Sequence, residues 1–214
     1  MIAQPPTFSA TSPAKPTLGE PAWELAFLYP SQGDWTEADY LALRTNRLIE
    51  LSNGCLEVAT MATLFHQLIV QYLVELLKAY VIANKLGVVA TAPMPIRLFS
   101  GTLREPDAFF LKSARIVDAK SPPDGADLVI EIVSPGDENR RRDLVTKRRE
   151  YAQAGIPEYW IVDPELQTIT VLHLADGEST YRVHGEFGVG RQADSVLLPG
   201  FAVDVAATFA AGEV

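Results

Sequence analysis

The longest regular pattern in the chain is a run of apolar side chains that recur at helical spacing between Thr63 and Asn84. A wide apolar stripe of this kind predicts an amphipathic helix, which we expect Gly87 to end. Charged and polar side chains interrupt the apolar run of Leu64–Val81, so it lacks the roughly 20 apolar residues that a membrane span needs. We therefore expect this helix to lie on a protein core, and we expect no membrane partner.

The remaining apolar runs are short and β-like. Asn53-Gly54, between Arg47–Leu51 and Cys55–Val58, is the dipeptide typical of a tight β-hairpin. Further runs, separated by Gly, Pro and Asp, each predict a strand. They are Val88–Thr91, Pro95–Phe99, Ala108–Leu111, Leu128–Val133, Tyr159–Val162 and Thr168–His173, with edge strands at Tyr181–Val183 and Ser195–Leu198.

Two more helices complete the predicted set. Thr36 followed by Asp39 has the pattern of a capping box at the start of a short helix. A second long helix fits Asn139–Ala154, with Gly155 and Pro157 just beyond it. Helices around several strands indicate an α/β or α+β fold with a mixed central β-sheet flanked by helices and with added antiparallel strands.

Length and composition suit one soluble globular domain. The chain has 214 residues, of which 48% are hydrophobic and 21% charged. Residues 1–20 are rich in Pro, Ser, Thr and Ala and predict a flexible arm, so residues 21–214 are expected to form the domain. Cys55 has no second cysteine to pair with, and the start of the chain lacks a signal-peptide pattern. These features favour a cytoplasmic location.

The net charge is −9, which argues against nucleic-acid binding by overall attraction. The segment from Gly136 to Glu150 is locally different, because it carries six basic residues against four acidic ones. A basic helix on an acidic body is most simply a solvated helix face. The alternative is that this basic helix contacts phosphate groups.

Glu131 lies in the middle of an otherwise apolar strand. Alternation places Leu128, Ile130 and Ile132 on one face and Glu131 with its apolar neighbours on the other. A carboxylate in such a place must be paired, hydrogen-bonded or bound to a metal. A salt bridge to Arg104 is the structural interpretation, and a metal site is the functional one.

Asp107 supplies a second carboxylate at the head of a strand, directly after Pro106, which favours an extended chain before it. If this strand pairs with the strand of Glu131, the two acids can meet at one end of the sheet. Two carboxylates with water and a substrate phosphate are what Mg²⁺ prefers, and such an ion can activate a water nucleophile.

Lys147 is the candidate cation. On a regular helix over Asn139–Ala154, Leu144, Val145 and Tyr151 share an apolar stripe, and Lys147 lies at its edge. From there its amine could extend to a neighbouring strand end and the two acids. The same register places Arg148 near the middle of the apolar stripe, which requires either a partner for Arg148 or a different helix register.

Together these residues resemble a known family. Pro106-Asp107, then Glu131-Ile-Val-Ser-Pro, then Asp143-x-x-x-Lys147 and the following Tyr151, Gly155, Glu158-Tyr-Trp and Asp163-Pro are similar to the Uma-type restriction endonuclease family. That family belongs to the restriction-endonuclease-like PD-(D/E)XK nuclease superfamily. Leu48-Ile-Glu50 and His66-Gln67 also match, and the resemblance covers roughly residues 36–209.

The resemblance implies a nuclease domain and assigns roles to several residues. Asp107, Glu131 and the main-chain carbonyl of Ile132 would bind Mg²⁺, with Mn²⁺ as a substitute. The superfamily's usual lysine position holds Val133, and Lys147 stands where the family supplies the lysine from the next helix. Lys147 would orient and help deprotonate the attacking water and stabilise charge on the phosphate.

The same resemblance makes Glu50 an extra ligand or a support of the site, although its place on a hairpin strand otherwise indicates an exposed residue. The expected function is a Mg²⁺-dependent endonuclease that hydrolyses DNA, assembled as a homodimer. Arg140, Arg141 and Arg142 are the expected contacts to the DNA backbone.

Two other functions fit the sequence. A non-catalytic nucleic-acid-binding or regulatory protein could use the same fold, because fold does not fix activity and the lysine has moved. An interaction module that associates through apolar C-terminal strands is the third possibility. His66 could be a polar group near the site or simply a capping or surface residue, while His173 and His184 lack the spacing of metal ligands.

Overall fold

A computed structural model of the chain describes residues 29–44 and 47–213. The chain divides into two units, residues 1–31 and 32–214, and the second unit contains everything that follows. The predicted arm, residues 1–20, lies outside the described residues. Within the described residues, no helix combines the length and the apolar character needed to cross a membrane.

A six-stranded mixed sheet forms the centre of the second unit. Its strands are β3 (Gly87–Thr91), β6 (Ala108–Lys112), β7 (Leu128–Ile132), β8 (Glu158–Asp163), β9 (Thr168–His173) and β10 (Arg182–Gly188). They lie in the order β10-β9-β8-β7-β6-β3. Only β7 and β8 pair in parallel within it, which requires a crossover connection, and a helical segment supplies that connection.

A second sheet has four strands, β1 (Ile49–Ser52), β2 (Cys55–Val58), β4 (Ile96–Phe99) and β5 (Thr102–Arg104), in the order β2-β1-β5-β4. Strands β1 and β2 form the predicted hairpin, because Asn53 and Gly54 both adopt positive φ, at 48° and 75°, as a tight turn of this kind requires. A two-stranded sheet joins β11 (Gln192–Asp194) to β12 (Ala202–Asp204).

The predicted helices at the start of the chain are present. The short helix α1 (Glu37–Leu41) has the complete Thr36–Asp39 capping box, and the long helix α2 (Leu64–Ala83) begins where the Thr63 side chain accepts from the His66 amide. The expectation that Gly87 ends α2 is wrong, because the helix stops at Ala83 and Gly87 already belongs to β3. Gly87 is required there by close packing, since a Cβ would lie 2.0 Å from the carbonyl oxygen of Leu111.

Each face of the central sheet covers a separate part of the core. Helix α2 and the C-terminal helix α5 (Val205–Ala210) pack on the face that carries Ile130, while the helix after β7 packs on the face that carries Val129. The predicted alternation of β7 is therefore confirmed, and Glu131 faces the second of these layers. Burying an apolar side chain here contributes about 1.5–3 kcal/mol.

The crossover helix differs from the prediction over Asn139–Ala154. It runs as α3 (Asp137–Arg141), a π-helical segment (Arg142–Lys147) and α4 (Arg148–Gln153). The π segment changes the register, so Val145 is 58% exposed instead of lying on the buried stripe, and Lys147 is buried. Arg148 is only partly buried, which removes the conflict that a regular helix created.

The edge strand predicted at Ser195–Leu198 is wrong. This segment is an irregular turn after β11, and its polar groups surround the buried carboxylate of Glu158. The Val196 and Leu197 amides donate to Glu158 Oε2 at 2.8 and 2.7 Å, and the Ser195 hydroxyl donates to Oε1 at 2.6 Å. A fully buried carboxylate needs such donors, which a ladder strand would have used for sheet pairing.

Candidate active site

A cavity of about 690 Å³ lies where the two larger sheets meet the crossover helix. Its wall takes residues from β1, the start of α2, the segment before β6, the end of β7 and the π segment. Five acidic side chains line it against three Arg and Lys side chains, so acids outnumber these bases in its wall. The acids are Glu50, Glu105, Asp107, Glu131 and Asp143, and the bases are Arg47, Arg142 and Lys147.

Asp107 lies directly before β6, which pairs with β7 as predicted, with Ala108 opposite Ile130. This pairing places the Asp107 side chain beside the end of β7. Its Oδ2 accepts a hydrogen bond from the Ile132 amide at 2.8 Å and lies 3.2 Å from His66 Nε2. Two donors thus hold the same oxygen of this carboxylate.

Glu131 is buried and its Oε1 also receives two donors. Lys147 Nζ donates at 2.8 Å and the Tyr151 hydroxyl at 2.5 Å. The interpretation of Glu131 as the partner of Arg104 is wrong, because Arg104 lies on β5 and binds other carboxylates. Burial raises the pKa of Glu131, the Lys147 charge lowers it and the nearby Asp107 carboxylate raises it again, leaving it above its ordinary value.

Lys147 is the cationic centre of the cavity. Its side chain is 4% exposed, and Nζ lies 2.8 Å from Glu131, 3.1 Å from Glu50 and 3.8 Å from Asp143. Burial alone would lower the pKa of Lys147, but the carboxylates of Glu131 and Glu50 outweigh it and raise the pKa above its usual range. The amine therefore stays protonated in the folded protein.

Glu50 is buried in the same cluster, so the interpretation of an exposed hairpin residue is wrong. Besides Lys147 it contacts Arg104 at 3.0 Å and accepts from the Glu105 amide at 3.0 Å. Burial raises the pKa of Glu50, but Lys147 and Arg104 lower it more, so its pKa lies below the ordinary value. The pairing of β1 with β2 alone would leave the Glu50 side chain exposed, but the crossover helix covers it.

Arg104 joins this cluster to the helix. It is fully buried and contacts Glu150 with two nitrogens at 2.8 and 3.1 Å, Glu57 at 2.5 Å and the Ser52 hydroxyl at 3.1 Å. The forked guanidinium suits this arrangement, since it donates in several fixed directions. Arg104 therefore connects the four-stranded sheet to α4 behind Lys147.

Glu105 is a further acid of the cavity that the sequence analysis did not single out. The Tyr40 hydroxyl donates to its Oε1 at 2.6 Å, while its buried Oε2 has no hydrogen-bond partner among the described residues. Burial raises the pKa of Glu105 to about 7. With this pKa the Glu105 carboxyl changes between its neutral and ionised forms near neutral pH.

The three arginines expected to contact DNA occupy different environments. Arg140 donates to both oxygens of Asp163, at 3.1 and 2.6 Å, and to Glu165 at 3.1 Å. Arg141 is exposed on α3. Arg142 lines the cavity, with Nε 3.5 Å from Asp143 Oδ1.

His66 is the neighbour of Asp107 that sequence reasoning left undecided. It is 8% exposed and lies in the first turn of α2, but it is not the cap; Thr63 is. Burial alone would lower the pKa of His66, but its hydrogen bond to Asp107 and that carboxylate's charge raise it above the ordinary value. His173 and His184 do not line the cavity; His184 contacts Asp194 at 3.0 Å.

The donor set tests whether this cavity suits a divalent cation. Among the described residues no group of three His, Cys, Asp or Glu side chains is arranged for a metal. Asp107 and Glu131 nevertheless line one cavity together with Ile132, whose carbonyl would add a third oxygen. Mg²⁺ commonly uses one or two protein carboxylates and keeps water or substrate oxygens as its other ligands. The residues fit such an ion, and its charge would offset the excess of acids.

Comparison with known proteins then places the chain in a family. The family model described as "Putative restriction endonuclease" (Uma2) matches residues 37–206. The chain belongs to this restriction endonuclease family. The matched range includes every acidic and basic residue of the cavity. No curated protein matches the chain.

A solved structure shows the same fold. It is a crystal structure described as "a putative nuclease belonging to DUF820" from Anabaena variabilis ATCC 29413. The match covers 83% of this chain and 98% of that one, with a TM-score of 0.67 and 16% sequence identity. The fold expected from the sequence, a mixed central sheet flanked by helices, is thereby confirmed.

Proposed function

We propose that this member of the restriction endonuclease family is a divalent-metal-dependent nuclease that hydrolyses phosphodiester bonds of DNA. The observation that carries the proposal is the convergence of Asp107, Glu131 and Lys147 on one cavity. Asp107 directly precedes β6, Glu131 lies on β7 and Lys147 ends the π segment, and the three meet near the C-terminal end of β7. Two carboxylates can bind a divalent ion, and a protonated amine beside them can stabilise negative charge on a phosphate.

Asp107, Glu131 and the Ile132 carbonyl would hold the ion, Mg²⁺ or Mn²⁺. When bound, such an ion lowers the pKa of a water and offsets negative charge on a phosphate. The protein contributes fixed positions, because each of the two carboxylates is held by two donors within the described structure. Fixed donors cost little reorganisation during the reaction, which is why they are effective.

Lys147 would act by its charge. Its ion pairs with Glu131 at 2.8 Å and Glu50 at 3.1 Å favour a cationic Lys147 that stabilises the phosphate over one that accepts a proton from water. A buried ammonium has a stronger effect on a nearby anion than an ammonium in bulk solvent has. Arg142, on the preceding turn, would add a second positive charge at the rim.

Substrate binding would involve the basic face of the crossover helix. Arg141 is exposed and available to a phosphate, and Arg142 lines the cavity. Arg140 is held by Asp163 and Glu165, so its contribution to DNA contact would be smaller than that of Arg141. Assembly as a homodimer stays a prediction, which sedimentation of the purified chain would test.

A second candidate is a nucleic-acid-binding protein without catalysis. Val133 at the usual lysine position and the direct Lys147–Glu131 ion pair favour it. In that function the Lys147 ammonium would neutralise Glu131 in place of a metal ion. This function predicts DNA binding that is unaffected by a chelator and no strand cleavage with any divalent ion.

Cleavage of supercoiled plasmid by the purified chain distinguishes the two. We expect nicking with Mg²⁺ or Mn²⁺ that EDTA abolishes, and a loss of at least about 100-fold in Asp107→Asn and Glu131→Gln. Glu186→Gln, an exposed acid on β10, is the matched control and should cleave like the parent. Equal cleavage by all three variants would refute the assignment.

A further inference from the structure

Two hydrogen-bond donors converge on a single oxygen of Glu131. Lys147 Nζ and the Tyr151 hydroxyl both donate to Oε1, and within the described residues no group donates to Oε2. A carboxylate held in this way cannot rotate about its last bond without losing two hydrogen bonds at once. Its two oxygens are therefore inequivalent in the folded protein.

Both donors come from the crossover helix. In a regular α-helix each step of four residues turns by about 40°, so Asp143, Lys147 and Tyr151 would fan out over about 80°. The π segment from Arg142 to Lys147 has more residues per turn and rotates the first of these side chains back towards the others. All three are buried on the side that faces the cavity or β7.

Tyr151 is itself fixed in place. It is completely buried, and its ring packs edge-on against Tyr159, with centroids 5.1 Å apart and planes at 78°. Tyr159 in turn donates to the Asp143 carbonyl at 3.0 Å, within the π segment. The hydroxyl of Tyr151 thus points at Oε1 from a rigid ring, whereas Lys147 has a flexible side chain that also contacts Glu50.

Resting on the proposed function, we infer that Tyr151 is a positioning residue, which holds Oε1 of Glu131 so that Oε2 is the oxygen offered to the metal ion. Tyr151 does not touch the ion or the substrate. Without the Tyr151 hydroxyl, Lys147 would be the remaining donor to Glu131, and its flexible side chain can bind either oxygen as the carboxylate rotates. Groups that orient a metal ligand in this way change metal affinity by about 10–100-fold when they are removed.

The test compares Tyr151→Phe with Tyr181→Phe in the full chain. Tyr181 is also a buried tyrosine, but its hydroxyl donates to the Ile156 carbonyl at 2.7 Å and not to a carboxylate of the cavity. Mn²⁺ binding is measured by electron paramagnetic resonance of the free ion, and plasmid cleavage is measured against Mn²⁺ concentration. Thermal unfolding reports the fold of each variant.

We expect the dissociation constant for Mn²⁺ to rise about tenfold in Tyr151→Phe, with half-maximal cleavage moving to the same extent. Cleavage at saturating Mn²⁺ should fall much less, and Tyr181→Phe should bind like the parent. Equal Mn²⁺ affinity in Tyr151→Phe and the parent would overturn the inference while leaving the nuclease assignment intact. A parent chain that neither binds Mn²⁺ nor cleaves would overturn both.

A second measurement covers the case in which Tyr151→Phe does not fold. Infrared difference spectra of the parent, with and without Mn²⁺, separate one-oxygen from two-oxygen carboxylate binding. ¹³C-labelled glutamate separates the glutamate bands from those of Asp107, and the band that Glu131→Gln removes is that of Glu131. Binding through one oxygen of a glutamate supports the inference. Two-oxygen binding by the labelled glutamate overturns it.

Discussion

Lys147 lies 2.8 Å from Glu131 although 16 positions separate the two residues in the chain and one is in a helix, the other in a strand. The contact forms because the crossover helix packs on the face of β7 that carries Glu131. Each charge makes the burial of the other tolerable, since an isolated buried charge would be very costly. The same pair that stabilises the cavity is also the pair expected to act on the substrate.

Replacing Lys147 with Met should therefore affect both stability and activity. The buried carboxylates of Glu131 and Glu50 would lose their shared cation, and the free energy of unfolding should fall by about 3 kcal/mol at neutral pH. Cleavage should fall by at least about 100-fold even where the variant is folded. Denaturant unfolding and plasmid nicking measure the two effects.

Lys78→Met is the matched control, because Lys78 is exposed on α2. It should change neither quantity measurably. The prediction for Lys147 would be contradicted by a folded Lys147→Met variant that cleaves at the parent's rate.

Local patterns were sufficient to predict much of the fold. The stripe of α2, the Asn53-Gly54 turn and the alternation around Glu131 all depend on residues close in sequence, and all three are present. The pairing of β6 with β7, on which the meeting of Asp107 and Glu131 depends, is present as well. Short-range patterns and one strand pairing are therefore enough to expect these two acids at the same end of the sheet.

The parts that failed depend on distant contacts. The π segment has no sequence pattern of its own, so the sequence predicts a regular helix. In a regular helix Val145 would lie in the core and Arg148 would lie on the apolar stripe. A salt bridge to Arg104 is one of the two interpretations that the sequence allows for Glu131, but the partners of Arg104 come from β1, β2 and α4. The partners of Arg104 are determined by the packing of the crossover helix over the four-stranded sheet, which involves contacts between residues far apart in the sequence.

Arg104 offers a second prediction about stability. Arg104→Met would leave the buried carboxylate of Glu150 without its cation and Glu50 with Lys147 alone, and we expect the free energy of unfolding to fall by about 3–5 kcal/mol. Arg104→Lys keeps the charge but loses the fork that reaches Glu150 with two nitrogens, so its loss should be intermediate. Urea unfolding followed by circular dichroism gives both values, and equal stability of Arg104→Met and the parent would contradict the argument.

The contact between Asp163 and Arg140 predicts how stability changes with pH. Burial alone would raise the pKa of Asp163, but hydrogen bonds from Arg140 and from the Leu166 amide lower it below its ordinary value. Its contribution to stability is thus present above the unfolded-state pKa of about 3.9 and is lost as pH falls through the lower folded-state pKa. Asp163→Asn should be less stable than the parent by about 2 kcal/mol at pH 7, and the difference should vanish in acid.

Unfolding free energies at several pH values, from neutral down into acid below the unfolded-state pKa of about 3.9, check this prediction. Arg140→Gln serves as the partner variant, because it removes the same ion pair from the other side and should also flatten the acid dependence. A difference between Asp163→Asn and the parent that stays constant with pH would show that the carboxylate's charge is not responsible.

Arg141 gives the last prediction, which concerns DNA. Its side chain is exposed, whereas Arg140 is held by two carboxylates, so Arg141→Gln should weaken DNA binding more than Arg140→Gln does. A contact to one phosphate also changes the slope of log affinity against log salt by about 0.9, because one bound counterion is no longer released. Fluorescence anisotropy with a labelled duplex, measured in the Asp107→Asn background to prevent cleavage, gives affinity and slope together. Parent-like affinity and slope in Arg141→Gln would place the DNA on another face of the protein.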